Sequence, residues 1–248
     1  MQRKTILLII ASILLVILIG ILALQRSAAP DVVVPVQQTP VPQTPVQTPV
    51  TITDTQIKER YYSGTKPVIA GSSAIAVAAR NYVDTTVAEF AANAAAEVPD
   101  RKKEYGNDNS AGSYTIELHA KQVSGPSTDS IVIDSYIYMG GANGSSAYKV
   151  FTASKKTGEL LSLSAVVKKE SQNAFVALVK KSLMNMPSGG TFADDVNKLT
   201  LASLDDWSID QNGTLTIYFD KYEVGAGALG AVALPLPSSA ISSYLQLP

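Results

Sequence analysis

The sequence predicts an α+β fold, in which helices pack on an antiparallel sheet in two sub-portions, preceded by one transmembrane helix and a proline-rich linker. Three observations lead to this prediction. The first 52 residues divide into an uncharged apolar run and a stretch rich in proline. Beyond them, short runs that alternate apolar and polar residues indicate strands with one covered face. Two longer segments instead repeat apolar residues every three or four positions, as amphipathic helices do.

The N-terminus predicts a membrane anchor. A basic head at residues 1–4 precedes the apolar run, and we place a transmembrane helix at residues 5–25. About 20 residues at 1.5 Å rise span about 30 Å, which is the thickness of the bilayer's hydrocarbon core and more than a usual secretory signal supplies. Cleavage at Ser27-Ala28-Ala29 is the alternative. Because the positive charge precedes the helix, we expect a single-pass protein of the cell membrane with its N-terminus in the cytoplasm and its C-terminal domain outside.

Residues 26–52 form the predicted linker. The motif Gln-Thr-Pro-Val starts at Gln38, Gln43 and Gln47. Proline at this density favours extended polyproline II, so the linker can act as a spacer of up to ~60 Å. A stalk that carries sugars on its threonines is the alternative.

The composition excludes several kinds of site. The chain has no cysteine and a single histidine, His119. Disulfides, thiol nucleophiles and Cys/His zinc sites are therefore excluded, and no cofactor or metal is expected. With 20 basic and 21 acidic residues the formal charge is -1, which lacks the basic excess that nucleic-acid binding requires. His119 lies in an alternating run, so we interpret it as a surface residue of a strand rather than a catalytic base.

We divide the folded part into an N-terminal α+β portion, residues 53–125, and a C-terminal α+β domain, residues 126–248. The first portion is predicted to begin with extended segments at residues 56–62 and 66–69, joined at Ser63-Gly64. A helix then runs from a cap at Ser72 or Ser73 to about Val98, where Pro99 stops it. Residues 107–110 follow in a polar loop that lacks the alternating ligands and closing glutamate of an EF-hand.

Three strands are predicted next, at residues 113–123, 130–139 and 147–153. The second and third are joined by the glycine run Gly140-Gly141-Ala142-Asn143-Gly144, whose residues permit unusual backbone angles. Further on, a helix is expected at residues 170–186, stopped by Pro187, with a short helix between residues 191 and 206. The adjacent acidic pairs Asp194-Asp195 and Asp205-Asp206 are interpreted as solvated helix ends.

The last third predicts a hairpin. Residues 207–209 and 214–219 flank Asn212-Gly213, the strongest short-range hairpin signal. A glycine-bearing loop follows at residues 220–230. Residues 232–236 indicate a final strand and residues 238–245 a short helix.

Five motifs in this order make the chain from about Thr53 resemble a family of extracellular domains. The family includes those of the anti-sigma factor RsiV and the non-catalytic part of the peptidoglycan deacetylase PdaC. The motifs are residues 138–144 (YMGGANG), 156–160 (KTGEL), 218–224 (YFDKYEV), 230–235 and 243–245. The resemblance implies an α+β fold, and members of the family are known to bind lysozyme.

Two departures from the family limit what the resemblance implies. Asn143 stands where the family usually has histidine. The head at residues 1–4 is too short to hold a sigma factor, and no residues remain for a deacetylase catalytic domain. Neither activity is therefore expected.

The sequence thus predicts a surface binding module rather than an enzyme. Its expected partners are the membrane, through residues 5–25, and a cell-wall glycan or a lysozyme-like protein. Exposed tyrosines suit sugar stacking and protein interfaces, while the glycines serve backbone geometry. The candidate ligand-binding residues are Tyr138, Gly140, Gly141, Asn143, Gly144, Tyr148, Tyr218, Tyr222 and Glu223.

Two alternatives remain beside the binding module. One is a structural surface protein without a ligand. The other is a wall hydrolase in which Glu117, Asp134 and Glu223 converge, since a glycosidase needs two carboxyl groups about 5 to 9.5 Å apart.

Overall fold

The computed structural model describes residues 48–105, 114–186 and 190–247, which belong to one compact unit, Val46–Pro248. The predicted anchor, most of the linker, the polar loop at residues 107–110 and Pro187 lie outside these ranges. Among the described helices, none combines the length and the apolar character that crossing a bilayer requires.

A five-stranded sheet forms the first layer. Its strands lie side by side in chain order, and all neighbours are antiparallel except β2 and β3, which are parallel. The strands are β1 (Thr51–Lys58), β2 (Tyr62–Ala70), β3 (Tyr114–Ser124), β4 (Thr128–Tyr138) and β5 (Ser145–Ser154). The three strands predicted from residue 113 onward are confirmed. The predicted division at residue 125 falls between β3 and β4, which pair with each other.

The prediction that Ser63-Gly64 joins two separate extended segments is wrong. Both residues lie inside β2, and the chain turns earlier, between Lys58 and Tyr62. Gly64 pairs with Ile116 of β3, and a Cβ at this position would overlap the Ile116 carbonyl oxygen. The glycine therefore marks a close approach of two backbones within a sheet rather than a turn.

Helix α1 (Ala74–Tyr105) covers one face of this sheet. Its predicted cap is confirmed at Ser73, whose Oγ accepts the Ala76 N–H at 3.3 Å. The core of this layer includes Ile75, Ala79, Val83, Phe90, Ala94 and Val98 from the helix, and Tyr114, Ile116, Leu118, Ile131 and Ile133 from the sheet.

The prediction that Pro99 stops α1 is wrong, because the helix continues through it to Tyr105. A proline inside a helix costs about 3 kcal/mol through a lost hydrogen bond and a steric clash. Contacts with β3 and with the glycine run stabilise the helix on either side of the proline. Glu97 accepts the Tyr114 hydroxyl at 2.7 Å, and the Arg101 guanidinium donates to the Gly140 carbonyl.

The rest of the chain builds a second layer around a three-stranded antiparallel sheet in the order β6-β7-β8. The predicted helices, hairpin and final strand are confirmed, with the helix at 170–186 preceded by a 3-10 turn. The elements are α2 (Leu163–Val166), a 3-10 turn at Lys169–Ser171, α3 (Gln172–Met184), α4 (Ala193–Lys198), a 3-10 turn at Leu201–Leu204, β6 (Trp207–Ile209), β7 (Leu215–Phe219), a 3-10 turn at Gly227–Leu229, β8 (Val232–Leu236) and α5 (Ser238–Ile241).

The second layer packs on the sheet face that α1 does not cover. Side chains alternate along β4, so Ile131 and Ile133 face α1, whereas Val132 joins Val150 and Tyr218 on the opposite face. The contact is also polar, since the Thr152 hydroxyl donates to the Trp207 carbonyl at 2.6 Å.

Two carboxylates attach the second layer to β5, which is one of the two edge strands of the first sheet. Asp206 accepts the Val150 N–H at 2.7 Å and pairs with the Lys149 ammonium at 2.9 Å, and Asp220 accepts the Tyr148 N–H at 2.9 Å. Asp205 likewise accepts the Leu163 N–H at 2.9 Å. The interpretation of Asp205-Asp206 as a solvated helix end holds for Asp205, which is exposed at the end of the 3-10 turn Leu201–Leu204. It is wrong for Asp206, whose side chain bonds to β5. These side chains satisfy backbone donors that no strand or helix partner reaches.

Candidate functional site

The candidate site is a groove where the second layer leaves the sheet uncovered, and we call it the sheet-face groove. It encloses about 230 Å³. A wider depression of about 500 Å³ beside α3 and β8 is lined by Met186, Leu229 and Val232 and carries no charged side chain. The sheet-face groove instead combines acidic, aromatic and hydroxyl groups, and its main lining residues are Glu117, His119, Asp134, Tyr136, Ser146, Tyr148 and Ala231.

The register of three strands assembles this lining. Glu117 of β3 lies opposite Tyr136 of β4, and Tyr136 lies opposite Ser146 of β5. The neighbouring row holds His119, Asp134 and Tyr148 in the same way. Side chains two residues apart on a strand share a face, so both rows project from the side that α1 leaves free.

Tyr136 presents its ring to solvent. The side chain is 43% exposed, and the backbone of Gly144 lies directly against the ring, where a Cβ would overlap it. The absence of a side chain at Gly144 therefore leaves the space that the Tyr136 ring occupies.

Tyr148 forms the other aromatic wall of the groove. Its ring lies 5.0 Å from that of Tyr218, whose hydroxyl hydrogen bonds to Ser208 at 3.0 Å. Burial, and then the negative charge of Asp134, raise the pKa of Tyr148 above its ordinary value. The Tyr148 hydroxyl therefore stays protonated, as a hydrogen-bond donor, throughout the physiological range.

The charged part of the groove is acidic. His119 is exposed on β3, which confirms its interpretation as a surface residue of a strand. Its Nδ1 lies 3.0 Å from Asp54 Oδ2, and its Nε2 lies 4.0 Å from Glu117 Oε2. The imidazole thereby joins β1 to β3 across a part of the sheet where β2 no longer pairs with β3.

Of the nine residues predicted from the sequence, Tyr148 lines the groove, and Gly144 packs against the ring of Tyr136, which also lines it. Tyr218 is only 7% exposed, and its ring packs against that of Tyr148. Tyr138 donates its hydroxyl hydrogen bond to the Gly141 carbonyl at 2.9 Å, within the glycine run. Asn143 is exposed in the same run.

The structure brings the glycine run together with residues 218–224 (YFDKYEV), which we call the aromatic loop. The Lys221 ammonium donates to the Gly144 carbonyl at 2.7 Å, and the Lys221 N–H donates to the Ser146 carbonyl at 2.9 Å. Beside it, Tyr222 is 61% exposed and adopts a φ of 74°, a left-handed conformation that is strained for an aromatic residue. Such strain is common at functional sites.

Glu223 lies in this loop and is not among the residues that line the groove. Its Oε2 accepts the Asp220 N–H at 2.8 Å. Burial, and then the charges of Asp220 and Asp206, raise the pKa of Glu223, and burial likewise raises that of Asp220. The structure thus brings Glu117 and Asp134 to one groove and places Glu223 elsewhere.

Sequence reasoning missed Tyr136 as a site residue. The alternation of Val132, Asp134 and Tyr136 does place them on one face of β4, which was the available signal. Which part of that face the second layer would cover depends on contacts between distant segments, so the signal did not separate Tyr136 from the covered Val132.

Replacing Gly144 by alanine is expected to displace the Tyr136 ring, because the new methyl group would occupy the ring's position. Because the methyl group would meet only the outer end of a 43% exposed side chain that can swing aside, we expect a cost of at most about 1 kcal/mol in the free energy of unfolding, together with a changed Tyr136 environment in aromatic NMR spectra. Gly141→Ala is the matched control, since a Cβ there meets no atom within 4 Å. Tyr136 signals that are the same in the two variants would contradict the contact between Gly144 and the Tyr136 ring.

Comparison with known proteins identifies the domain type. Residues 164–239 match the family model described as "Protein of unknown function (DUF3298)", so the chain contains a DUF3298 domain. No curated protein matches the chain.

Two solved structures have similar folds. A DUF3298 family member from Bacteroides fragilis is 14% identical, with a TM-score of 0.56 over 79% of this chain and 94% of that chain. A DUF3298 family protein from Pseudomonas aeruginosa is 14% identical, with a TM-score of 0.50 over 81% of this chain and 94% of that chain. The predicted α+β fold is confirmed, while the specific link to the RsiV and PdaC domains stays a prediction.

Proposed function

We propose that this protein is a membrane-anchored, extracytoplasmic binding module of the bacterial cell surface. It recognises a cell-wall glycan, or a wall-directed protein such as lysozyme, through the sheet-face groove. The observation that carries the proposal is an open concave surface in which the exposed Tyr136 ring stands beside Glu117 and Asp134.

The chemistry of the groove supports a binding role. Ligand sites are typically concave and combine aromatic surface with a few polar groups that fix orientation. Tyr136 and Tyr148 supply the aromatic surface, and Ser146 and the two carboxylates supply the polar groups. An exposed tyrosine ring stacks on a sugar as readily as it packs into a protein interface, so both ligand classes fit.

The membrane location is supported by the sequence. Residues 5–25 are apolar and uncharged up to Leu24, and residues 26–52 contain the repeated Gln-Thr-Pro-Val motif. An anchor followed by an extended spacer holds a domain away from the membrane and toward the wall.

A structural surface protein without a ligand is the second candidate. It is favoured by the internal contacts of the glycine run, in which Arg101, Tyr138 and Lys221 all bond to glycine carbonyls. Those hydrogen bonds give the glycine run a role in holding the fold together, without a ligand. A wall hydrolase is a third candidate and would have to rely on Glu117 and Asp134.

The proposal is tested with the full-length protein in a neutral detergent. We expect it to be retained by insoluble peptidoglycan or by immobilised lysozyme, and released by excess soluble ligand. Retention by neither support would favour the structural role. Release of soluble wall fragments, lost in Asp134→Asn, would instead establish the hydrolase.

A further inference from the structure

The sheet-face groove carries an excess of negative charge. Glu117 and Asp134 line it, and neither lysine nor arginine contributes to the lining. Within the described part of the chain, His119 is the one residue of this lining with a basic side chain, and its Nδ1 is already 3.0 Å from the carboxylate of Asp54. A positive charge on the imidazole would therefore be offset by a third carboxylate. The Lys221 ammonium lies beside the groove but donates to the Gly144 carbonyl at 2.7 Å.

Both lining carboxylates have capacity for a ligand. Within residues 48–105, 114–186 and 190–247, Asp134 makes no side-chain hydrogen bond or ion pair. The Glu117 carboxylate lies 4.0 Å from His119 Nε2, which is beyond hydrogen-bond distance. An ionised carboxylate has about four acceptor sites, so both groups keep acceptor sites that no protein group occupies and that a ligand in the groove can reach.

The aromatic walls add a second preference. A tyrosine ring attracts a cation placed over its face and also stacks on the apolar face of a sugar ring. Tyr136 and Tyr148 flank the two carboxylates in the paired rows of β3, β4 and β5. The volume of about 230 Å³ has room for one sugar residue.

We propose that the groove selects a protonated amine, and that its ligand is a glycan with a glucosamine residue whose nitrogen carries no acetyl group. This inference rests on the proposed function and specifies the ligand of the same groove. The ammonium group donates to Asp134 and Glu117, and the pyranose ring stacks on Tyr136. An N-acetyl group removes the charge and leaves both carboxylates without a cationic partner.

A lysine side chain of a partner protein would fill the groove less completely. It offers one ammonium on a flexible alkyl stem, without a ring face for Tyr136 or hydroxyl groups for Ser146. A glucosamine unit offers all three groups on one rigid ring. Rigid ligands also lose less conformational freedom on binding.

The test compares two oligosaccharides of equal length with the full-length protein, a glucosamine tetramer and an N-acetylglucosamine tetramer. Titration calorimetry at pH 6 is expected to give a dissociation constant at least about tenfold lower for the glucosamine tetramer, since a charge-assisted hydrogen bond is stronger than a neutral one. Glu117→Gln and Asp134→Asn should reduce that ratio to less than about twofold. Glu89→Gln removes the same charge from an exposed position on α1, behind the sheet, and should leave the ratio unchanged.

The outcomes separate this inference from the proposed function. Equal affinity for both tetramers overturns the selection of an amine while glycan binding stands. Binding to lysozyme alone overturns the glycan ligand and leaves the binding module in place. Loss of the preference in Glu89→Gln as well would show bulk charge attraction and would also overturn the inference. Absence of binding to any of these probes contradicts both proposals.

Discussion

Gly64→Ala is expected to lower the free energy of unfolding by about 3 kcal/mol or more, which would make it one of the most damaging single substitutions in the chain. The added methyl group would overlap the Ile116 carbonyl oxygen, a backbone atom that cannot rotate away. Gly64 also has a φ of 154°, a conformation that side-chain-bearing residues rarely adopt.

The effect is large because β2 meets β3 over a short stretch. Parallel pairing covers Tyr62 to Thr65 on one strand and Tyr114 to Glu117 on the other, and Gly64 lies within it. Separation of these strands would detach the β1–β2 hairpin from the sheet. Chemical denaturation of Gly64→Ala beside Gly141→Ala measures the cost. A difference below about 0.5 kcal/mol between these two variants would show that β2 is not held as described.

Asp206→Ala is expected to cost about 2–4 kcal/mol of unfolding free energy. Asp206 accepts the Val150 N–H at 2.7 Å and pairs with the Lys149 ammonium at 2.9 Å, and its side chain is 27% exposed. Its removal leaves a backbone donor on β5 without a partner, and a group stranded in this way costs about 1–3 kcal/mol, or more when a charge is involved. The loss should loosen the contact between the two layers.

Two matched variants separate the roles of Asp206. Asp206→Asn keeps an oxygen that can accept the Val150 N–H, so it should cost less than alanine. Asp195→Ala removes an aspartate of similar side-chain exposure, 31%, whose partner is the exposed Lys198 at 2.8 Å, and an ion pair with a solvated partner contributes little to stability. Thermal unfolding should rank the variants Asp195→Ala, Asp206→Asn, Asp206→Ala in order of increasing damage. An Asp206→Ala protein as stable as wild type would contradict the stabilising role assigned to the Asp206 carboxylate.

Local signals predicted the helices and hairpins well. Ser73 caps α1, and the hairpin between β6 and β7 turns where Asn212-Gly213 predicted it. These elements depend on residues close together in the chain. The predictions at Gly64 and Pro99 were wrong because both residues depend on contacts with distant parts of the chain. Gly64 is required by the close approach of Ile116. Pro99 is tolerated inside α1 because Glu97 and Arg101 hold the helix end to distant residues.

The candidate site was predictable only in part for the same physical reason. The glycine run and the aromatic loop were recognised as motifs, and Lys221 joins them. The groove itself arises from the register of β3, β4 and β5 and from where the second layer ends on their shared face. Neither is encoded by local spacing, so Tyr136 emerged only from the fold. Of the three carboxylates hypothesised to converge, the fold brings Glu117 and Asp134 to one groove and leaves Glu223 out of it.

The most direct test of the binding role compares Tyr136→Ala with Tyr222→Ala in retention of the full-length protein on insoluble peptidoglycan and on immobilised lysozyme. Both tyrosines are exposed, and Tyr136 alone of the two lines the groove. Loss of an anchoring aromatic ring costs at least about 1 kcal/mol, so Tyr136→Ala should weaken binding several-fold while Tyr222→Ala binds like wild type. Full binding by Tyr136→Ala with loss in Tyr222→Ala would contradict the sheet-face groove and move the site to the aromatic loop.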